Sequence, residues 1–216
     1  MPNLPLAPLV LDLGCGPGAA TVLLAQETGG RVVGLDLHGA FPREARARAR
    51  RAGLEARVLG VHGNMESAPF APGTFDLAWS EGALYSVGFA RGLEIAHELL
   101  KPGGHLAATE AVWLETEPPE EIRTWWQAEY SAITSVHANL ELIAEAGFVT
   151  LDHFTLPAAA WWEYYEPLEA RLQELRQRHA GDRAAFDVLD EAQVEVEMFR
   201  RFGRSYGYEF FVCRKE

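Results

Sequence analysis

The chain alternates between short apolar runs and longer segments whose apolar positions recur three and four residues apart. Leu9-Val10-Leu11-Asp12-Leu13 is a β-prone run too brief for a helix and bounded by glycine, and Val32-Val33-Gly34-Leu35-Asp36-Leu37 repeats the pattern. Residues 56–61, 75–80 and 105–110 read as the third, fourth and fifth strands. Between them Pro17 marks a helix start, and helix formers over 19–27 continue until Gly29-Gly30. A second helix opens at Pro42 and closes at Gly53. A third covers 89–100 and stops at Lys101-Pro102-Gly103-Gly104, which no helix continues through. Strands apolar almost throughout, alternating with helices, predict a doubly wound α/β fold with a parallel sheet covered on both faces.

Beyond Glu110 the pattern changes. Pro118-Pro119-Glu120-Glu121 reads as a helix start, 136–146 as a helix ended by Gly147, and 149–156 as a sixth strand. Two long helices follow. Leu168, Leu172 and Leu175 stripe the first, and Phe186, Leu189, Val196 and Phe199 stripe the second, with Gly181-Asp182 separating and capping them. Residues 206–213 form a terminal strand. No internal repeat or low-complexity linker interrupts the chain, so one domain over 1–216 is expected. Residues 111–147 are read as a substrate-covering insertion and 157–205 as a helical insertion before the last strand.

Composition narrows the functions. With 216 residues, 48% hydrophobic and 23% charged, the chain is ordinary for a globular domain. Its 19 Lys and Arg against 31 Asp and Glu leave a net charge of −12. That field repels phosphate backbones and anionic lipid, so neither nucleic acid nor membrane is expected as the main partner. Arg43, Arg46, Arg48, Arg50, Arg51 and Arg57 cluster against this trend, but their mixture with alanine reads as a solvated helix face. No apolar run approaches the roughly 20 residues that span a bilayer. The opening Met1-Pro2-Asn3-Leu4-Pro5 lacks the basic start of a signal peptide. Cys15 and Cys213 form no CxxC pair, which fits a reducing cytoplasm, and the histidines show no ligand spacing, so no metal site is expected.

The most informative stretch is Asp12-Leu13-Gly14-Cys15-Gly16-Pro17-Gly18. Alternate glycines let the backbone turn sharply after a strand and admit a ligand close to the main chain. Gly14, Gly16 and Ala19 also fit a dinucleotide fingerprint. Asp36, at the end of the second strand and roughly 20 residues on, is placed to accept both hydroxyls of an adenosine ribose. Capping of the next helix is its plainer role. These features identify a nucleoside and leave the chemistry open between an NAD-dependent oxidoreductase and an S-adenosyl-L-methionine enzyme.

Asp12-x-Gly14-x-Gly16-x-Gly18 resembles the first motif of the class I S-adenosylmethionine-dependent methyltransferases, and the resemblance recurs in order over 9–110. Gly34-Leu35-Asp36 is similar to their second motif, Gly63-Asn64-Met65-Glu66 with Pro69-Phe70 to their adenine-binding loop, 75–81 to their fourth-strand motif, and 99–106 to the helix-to-strand link. The stretch 79–89 also resembles a bacterial small-molecule subgroup. The resemblance implies a seven-stranded, mainly parallel sheet with an antiparallel last strand. It also implies S-adenosyl-L-methionine as cofactor. Gly14, Cys15, Gly16 and Gly18 would face its methionine portion and ribose, with Asp12 positioning the loop. Asp36 would take the ribose hydroxyls, Leu37 would pack on adenine, and Asn64 and Met65 would meet its edge and face. Asn64 stands where the family commonly has aspartate. Its amide oxygen would take the exocyclic amine. Ser80 and Glu81 would lie where substrate and methyl group meet.

Methyl transfer from a sulfonium needs alignment and exclusion of water more than covalent help, and a base only for a protonated acceptor. Glu81 and Glu110, at the carboxyl ends of strands, are the candidate bases, and Tyr85 and Trp113 the candidate lining of the acceptor pocket. Each acid also has a plain role as an anchoring carboxylate, which for Glu110 is the favoured one. Trp125, Trp126, Tyr130, Trp161, Trp162, Tyr164 and Tyr165 read mainly as core packing, with an amine pocket as the sharper alternative. The family's cofactor-covering helices normally precede the first motif, whereas only residues 1–8 precede Leu9 here. The cover is expected from the insertion over 111–147, from a partner subunit in a homodimer, or from residues upstream of a misplaced start codon. A small-molecule methyl acceptor is the expected substrate, with a non-catalytic adenosyl-cofactor-binding protein as the alternative.

Overall fold

The computed structural model describes residues 4–216. Met1-Pro2-Asn3, part of the opening read above as no signal peptide, lies outside the described residues. The order is β1 (Leu9–Leu13), α1 (Ala19–Thr28), β2 (Arg31–Asp36), α2 (Ala40–Arg51), β3 (Val58–His62), β4 (Phe75–Ser80), α3 (Phe89–Leu99) and β5 (Leu100–Trp113). There follow α4 (Glu120–Glu129), β6 (Thr134–Ser135), α5 (Val136–Glu145), β7 (Phe148–Thr155), α6 (Ala158–Arg178), α7 (Arg183–Phe202) and β8 (Tyr206–Lys215).

The chain divides into two compact units. The first holds the chain through Ala111, Val136–Phe154 and Glu209–Glu216; the second holds Val112–Ser135 and Thr155–Tyr208. The stretch 111–147, read as one insertion, is thus shared between them, with α5 in the first unit.

The main sheet runs β3-β2-β1-β4-β5-β8-β7. The β1–β2, β2–β3, β1–β4 and β4–β5 pairs are parallel, and the last strand is antiparallel. Strand alternation sorts side chains between two layers. Leu11, Leu13, Leu35, Ala78, Leu106 and Ala108 join α3 and α5 in one core, with Phe89, Leu93, Ala96 and Ile143 buried there. On the other side α1 and α2 bury Thr21, Val22, Ala25, Ala45 and Ala49. Because β1 lies between β2 and β4, chain order reverses at this strand, and a crevice opens at the carboxyl ends of the two halves.

The structure corrects the expected boundaries at three places. Gly104 does not separate helix from strand: β5 starts at Leu100, directly after α3, and Phe75 pairs with Leu100 but Leu77 with His105. Residues 101–104 are therefore an excursion within the strand, made by a proline without an amide donor and by Gly103 at φ 74°. Lys101 ties it down by pairing with Asp76 at 2.7 Å, whose other oxygen accepts the Leu9 amide at 2.9 Å. The second helix begins at Ala40, two residues before Pro42, since proline fits anywhere in a first turn. The two-residue β6 went unpredicted, being too short for any periodicity; it pairs with Val112 and Trp113.

In the second unit, α6 and α7 carry the predicted stripes, with Leu172, Leu189, Val196 and Phe199 buried. Asp182 caps α7 by accepting the Ala185 amide at 3.2 Å. Trp161 is sandwiched between Phe199 and Tyr208 with centroids 4.7 Å away on each side. Tyr165 is buried and donates to Glu195 at 3.0 Å, and burial pushes both groups' pKa upward. Rings stacked this closely leave no room for a ligand between them, which favours core packing for Trp161 and Tyr165.

Candidate functional site

β1 is buried from Val10 to Leu13 and ends in the glycine loop. The loop's amides are all engaged. Gly14 and Cys15 donate to the Leu35 carbonyl at 2.9 and 3.1 Å, and Gly18 donates to Cys15 at 3.0 Å. Gly16 donates to Asp36 Oδ2 at 2.9 Å, and Pro17 has no amide hydrogen. Asp36 Oδ1 accepts the His38 amide at 2.8 Å. One carboxylate thus ties the loop after β1 to the turn after β2. Each of its oxygens still has a lone pair for a ligand hydroxyl.

Beneath the loop, Asp12 is 2% exposed and accepts the Thr21 hydroxyl from α1. Burial raises its carboxyl to about 7. The Thr21 bond opposes this rise, and the neighbouring carboxylates Glu81 and Asp36 add to it. Cys15 is also buried, and desolvation with the nearby Asp12 and Asp36 pushes its thiol up to about 12. It is therefore a protonated filler of space and no nucleophile.

A cavity of about 420 Å³ opens beside the loop. Seven of the sequence-predicted residues line it: Gly14, Gly16, Asp36, Leu37, Asn64, Met65 and Tyr85. The others lie elsewhere. Asp12 and Cys15 support the loop from below, and Gly18 packs on Ala45 of α2. Ser80 is fully buried and donates to the Leu13 carbonyl at 2.9 Å, latching β4 to β1. Glu81 accepts the Trp79 indole N–H at 2.7 Å, and Glu110 is 2% exposed within β5. Trp113 belongs to the second unit, where it pairs with Ser135. Sequence reasoning missed His38, Phe41 and Ala83 in the lining. Phe41 offered a signal, as the one aromatic on a helix otherwise built of Arg, Ala, Glu and Pro.

The residues present suit an adenosyl ligand. The space beside the Gly16 Cα is open, so a ligand can approach the backbone where any side chain would protrude. Asp36 supplies an acceptor pair for a ribose diol, and Leu37, Phe41 and Met65 supply apolar surface for a flat base. Among the described residues, no cluster of His, Cys, Asp or Glu could hold a metal ion, and no helix is long and apolar enough to cross a membrane.

A cavity at the reversal point of a doubly wound sheet, with a glycine loop on one side and a strand-end carboxylate on the other, defines a Rossmann-like nucleoside-binding protein. Comparison with known proteins narrows the class. Residues 10–104 match the family described as a methyltransferase domain. The chain is 30% identical over 178 residues to 2-phytyl-1,4-naphtoquinone methyltransferase of Thermosynechococcus vestitus, covering 71% of this chain and 78% of that protein. It is 33% identical over 210 residues to the uncharacterized protein YjhP of Escherichia coli strain K12, covering 94% and 82%. It is 31% identical over 166 residues to 24-methylenesterol C-methyltransferase 2 of Oryza sativa subsp. japonica, covering 71% of this chain but only 45% of that protein. In fold it resembles the solved SAM-dependent methyltransferase of Geobacter sulfurreducens in complex with S-adenosyl-L-homocysteine, with TM-score 0.85 at 22% identity over 97% of this chain and 85% of that one. The chain belongs to the class I S-adenosylmethionine-dependent methyltransferases.

Proposed function

We propose that this protein moves a methyl group from S-adenosyl-L-methionine to a small-molecule acceptor by direct in-line transfer. The observation that carries the reading is the join of open backbone at Gly16 to the strand-end carboxylate of Asp36 in a chain 30% identical over 178 residues to a methyltransferase. A ribose and an amino-acid tail need an open backbone and a strand-end carboxylate, as found at Gly16 and Asp36. The substrates in the relatives' names, a naphthoquinone and a sterol, agree with a small acceptor.

In this reading Asp36 holds the ribose hydroxyls while Leu37 and Met65 flank the base. Gly14 and Gly16 give the methionine portion access to the backbone, and Asp12, through Thr21, keeps the loop in place. When bound, the cofactor supplies a methyl on a positively charged sulfur, already activated for displacement. Tyr85 lines the cavity and orients the acceptor. Glu81, held by Trp79, and Glu110 are the candidates to take a proton from an acceptor that arrives protonated. The net charge of −12 supports a partner other than nucleic acid, and two free, buried cysteines fit a cytoplasmic location. A homodimer is the proposed assembly in which a second copy helps cover the cofactor.

Calorimetry with S-adenosylhomocysteine and with NADH tests the cofactor. Binding of the first and not the second is expected, and an Asp36→Ala variant should lose at least about tenfold in affinity. Saturation by NADH alone would sink the reading. Turnover is then measured with methyl-labelled cofactor against amines, phenols, quinols and carboxylic acids, and no labelled product with any class would remove the catalytic part.

A further inference from the structure

Asn64 lines the cavity and also caps the 3-10 turn Met65–Ser67, its side-chain oxygen accepting the Glu66 amide at 3.0 Å. Only the oxygen of an amide side chain can accept from a backbone N–H, so this bond settles which way the group faces. Its NH2 end is left for a ligand. Taking the nucleoside reading above as given, with the ribose at Asp36 the base falls among the remaining lining, which includes Leu37, Phe41, Met65 and Asn64. Adenine presents a donor amine at position 6 beside ring-nitrogen acceptors, whereas hypoxanthine presents an oxygen acceptor at position 6.

We infer that Asn64 meets the base as a hydrogen-bond donor, so that the site accepts a 6-oxo purine nearly as well as adenine. An NH2 group can donate to an adenine ring nitrogen or to the hypoxanthine oxygen. A carboxylate at the same place would also cap the turn, but with acceptors alone. It would attract the adenine amine and repel the 6-oxygen. Position 64 therefore sets base specificity through a bond made for local structure. The amide oxygen expected above to meet the adenine amine is already occupied by the cap.

The test is calorimetry of S-adenosylhomocysteine and its 6-oxo analogue, S-inosylhomocysteine, with the wild-type protein and Asn64→Asp. The wild type should favour the adenosyl compound by less than about tenfold, and Asn64→Asp should raise that preference by at least about tenfold, the usual consequence of confronting a ligand with the wrong hydrogen-bonding partner. Thermal unfolding of the variant should match the wild type, because aspartate caps the turn equally well. A wild-type preference of tenfold or more, or a smaller rise in the variant, would overturn the inference. If neither compound binds the wild type, the nucleoside reading falls and this inference falls with it.

Discussion

Asp12 shows how one side chain records the demands of the site. A carboxyl buried to 2% exposure, held by one hydroxyl and flanked by Asp36 and Glu81, titrates near 7. Between about pH 4 and pH 7 the folded protein keeps a proton that the unfolded chain has released. The folded state then binds more protons than the unfolded one, and stability falls as pH rises through that window. Denaturant unfolding at pH 5 and pH 7.5 should show the wild type losing on the order of 2 kcal/mol from this group. Asp12→Asn, which keeps an oxygen for Thr21, should flatten that dependence; an unchanged slope would contradict the assignment. The importance of Asp12 was legible from its place two residues before Gly14. Its proton was not, because burial depends on which helix covers the strand.

At the scale of elements, the loop between β1 and α1 joins two functions that substitutions should separate. Gly16 has φ 50° and open space beside its Cα, so Gly16→Ala meets only backbone strain, about 1 kcal/mol. The new methyl reaches toward the cavity, and affinity for S-adenosylhomocysteine should fall at least about tenfold. Gly18 has φ 85°, and a Cβ there would stand 2.4 Å from the Ala45 Cβ and 2.6 Å from its Cα. Gly18→Ala must push α1 from α2 and should cost about 3 kcal/mol or more. Unfolding and calorimetry run on both variants check this division, and indistinguishable behaviour would refute it. The glycine spacing announced a ligand loop. It gave no hint that the third glycine serves helix packing while the second keeps open space beside it.

For the whole molecule, charge is the feature that reaches beyond any one element. The six arginines from Arg43 to Arg57 lie on or just after α2, and Arg48 bonds the Pro17 carbonyl at 3.3 Å. They are set in a chain of net charge −12. Gel-shift titration with duplex DNA and with tRNA at about 0.1 M salt should show no binding, because the overall field opposes phosphate. A shift abolished by Arg46→Glu with Arg50→Glu would instead make α2 a nucleic-acid face.

Sequence alone determined the alternation of strands and helices, because apolar runs of strand length and glycine or proline stops are local signals. It also marked Gly16 and Asp36 as cavity residues, because a turn needing bare backbone and a strand-end carboxylate are each written in a few adjacent residues. Tertiary structure decided which residues border the cavity. Ser80 became a latch on Leu13, Asn64 spent its oxygen on a cap, and Phe41 came into the wall from a helix with no motif of its own. The reason is distance along the chain: a cavity wall is built where remote segments meet, and each side chain's final partner depends on what the rest of the fold brings beside it.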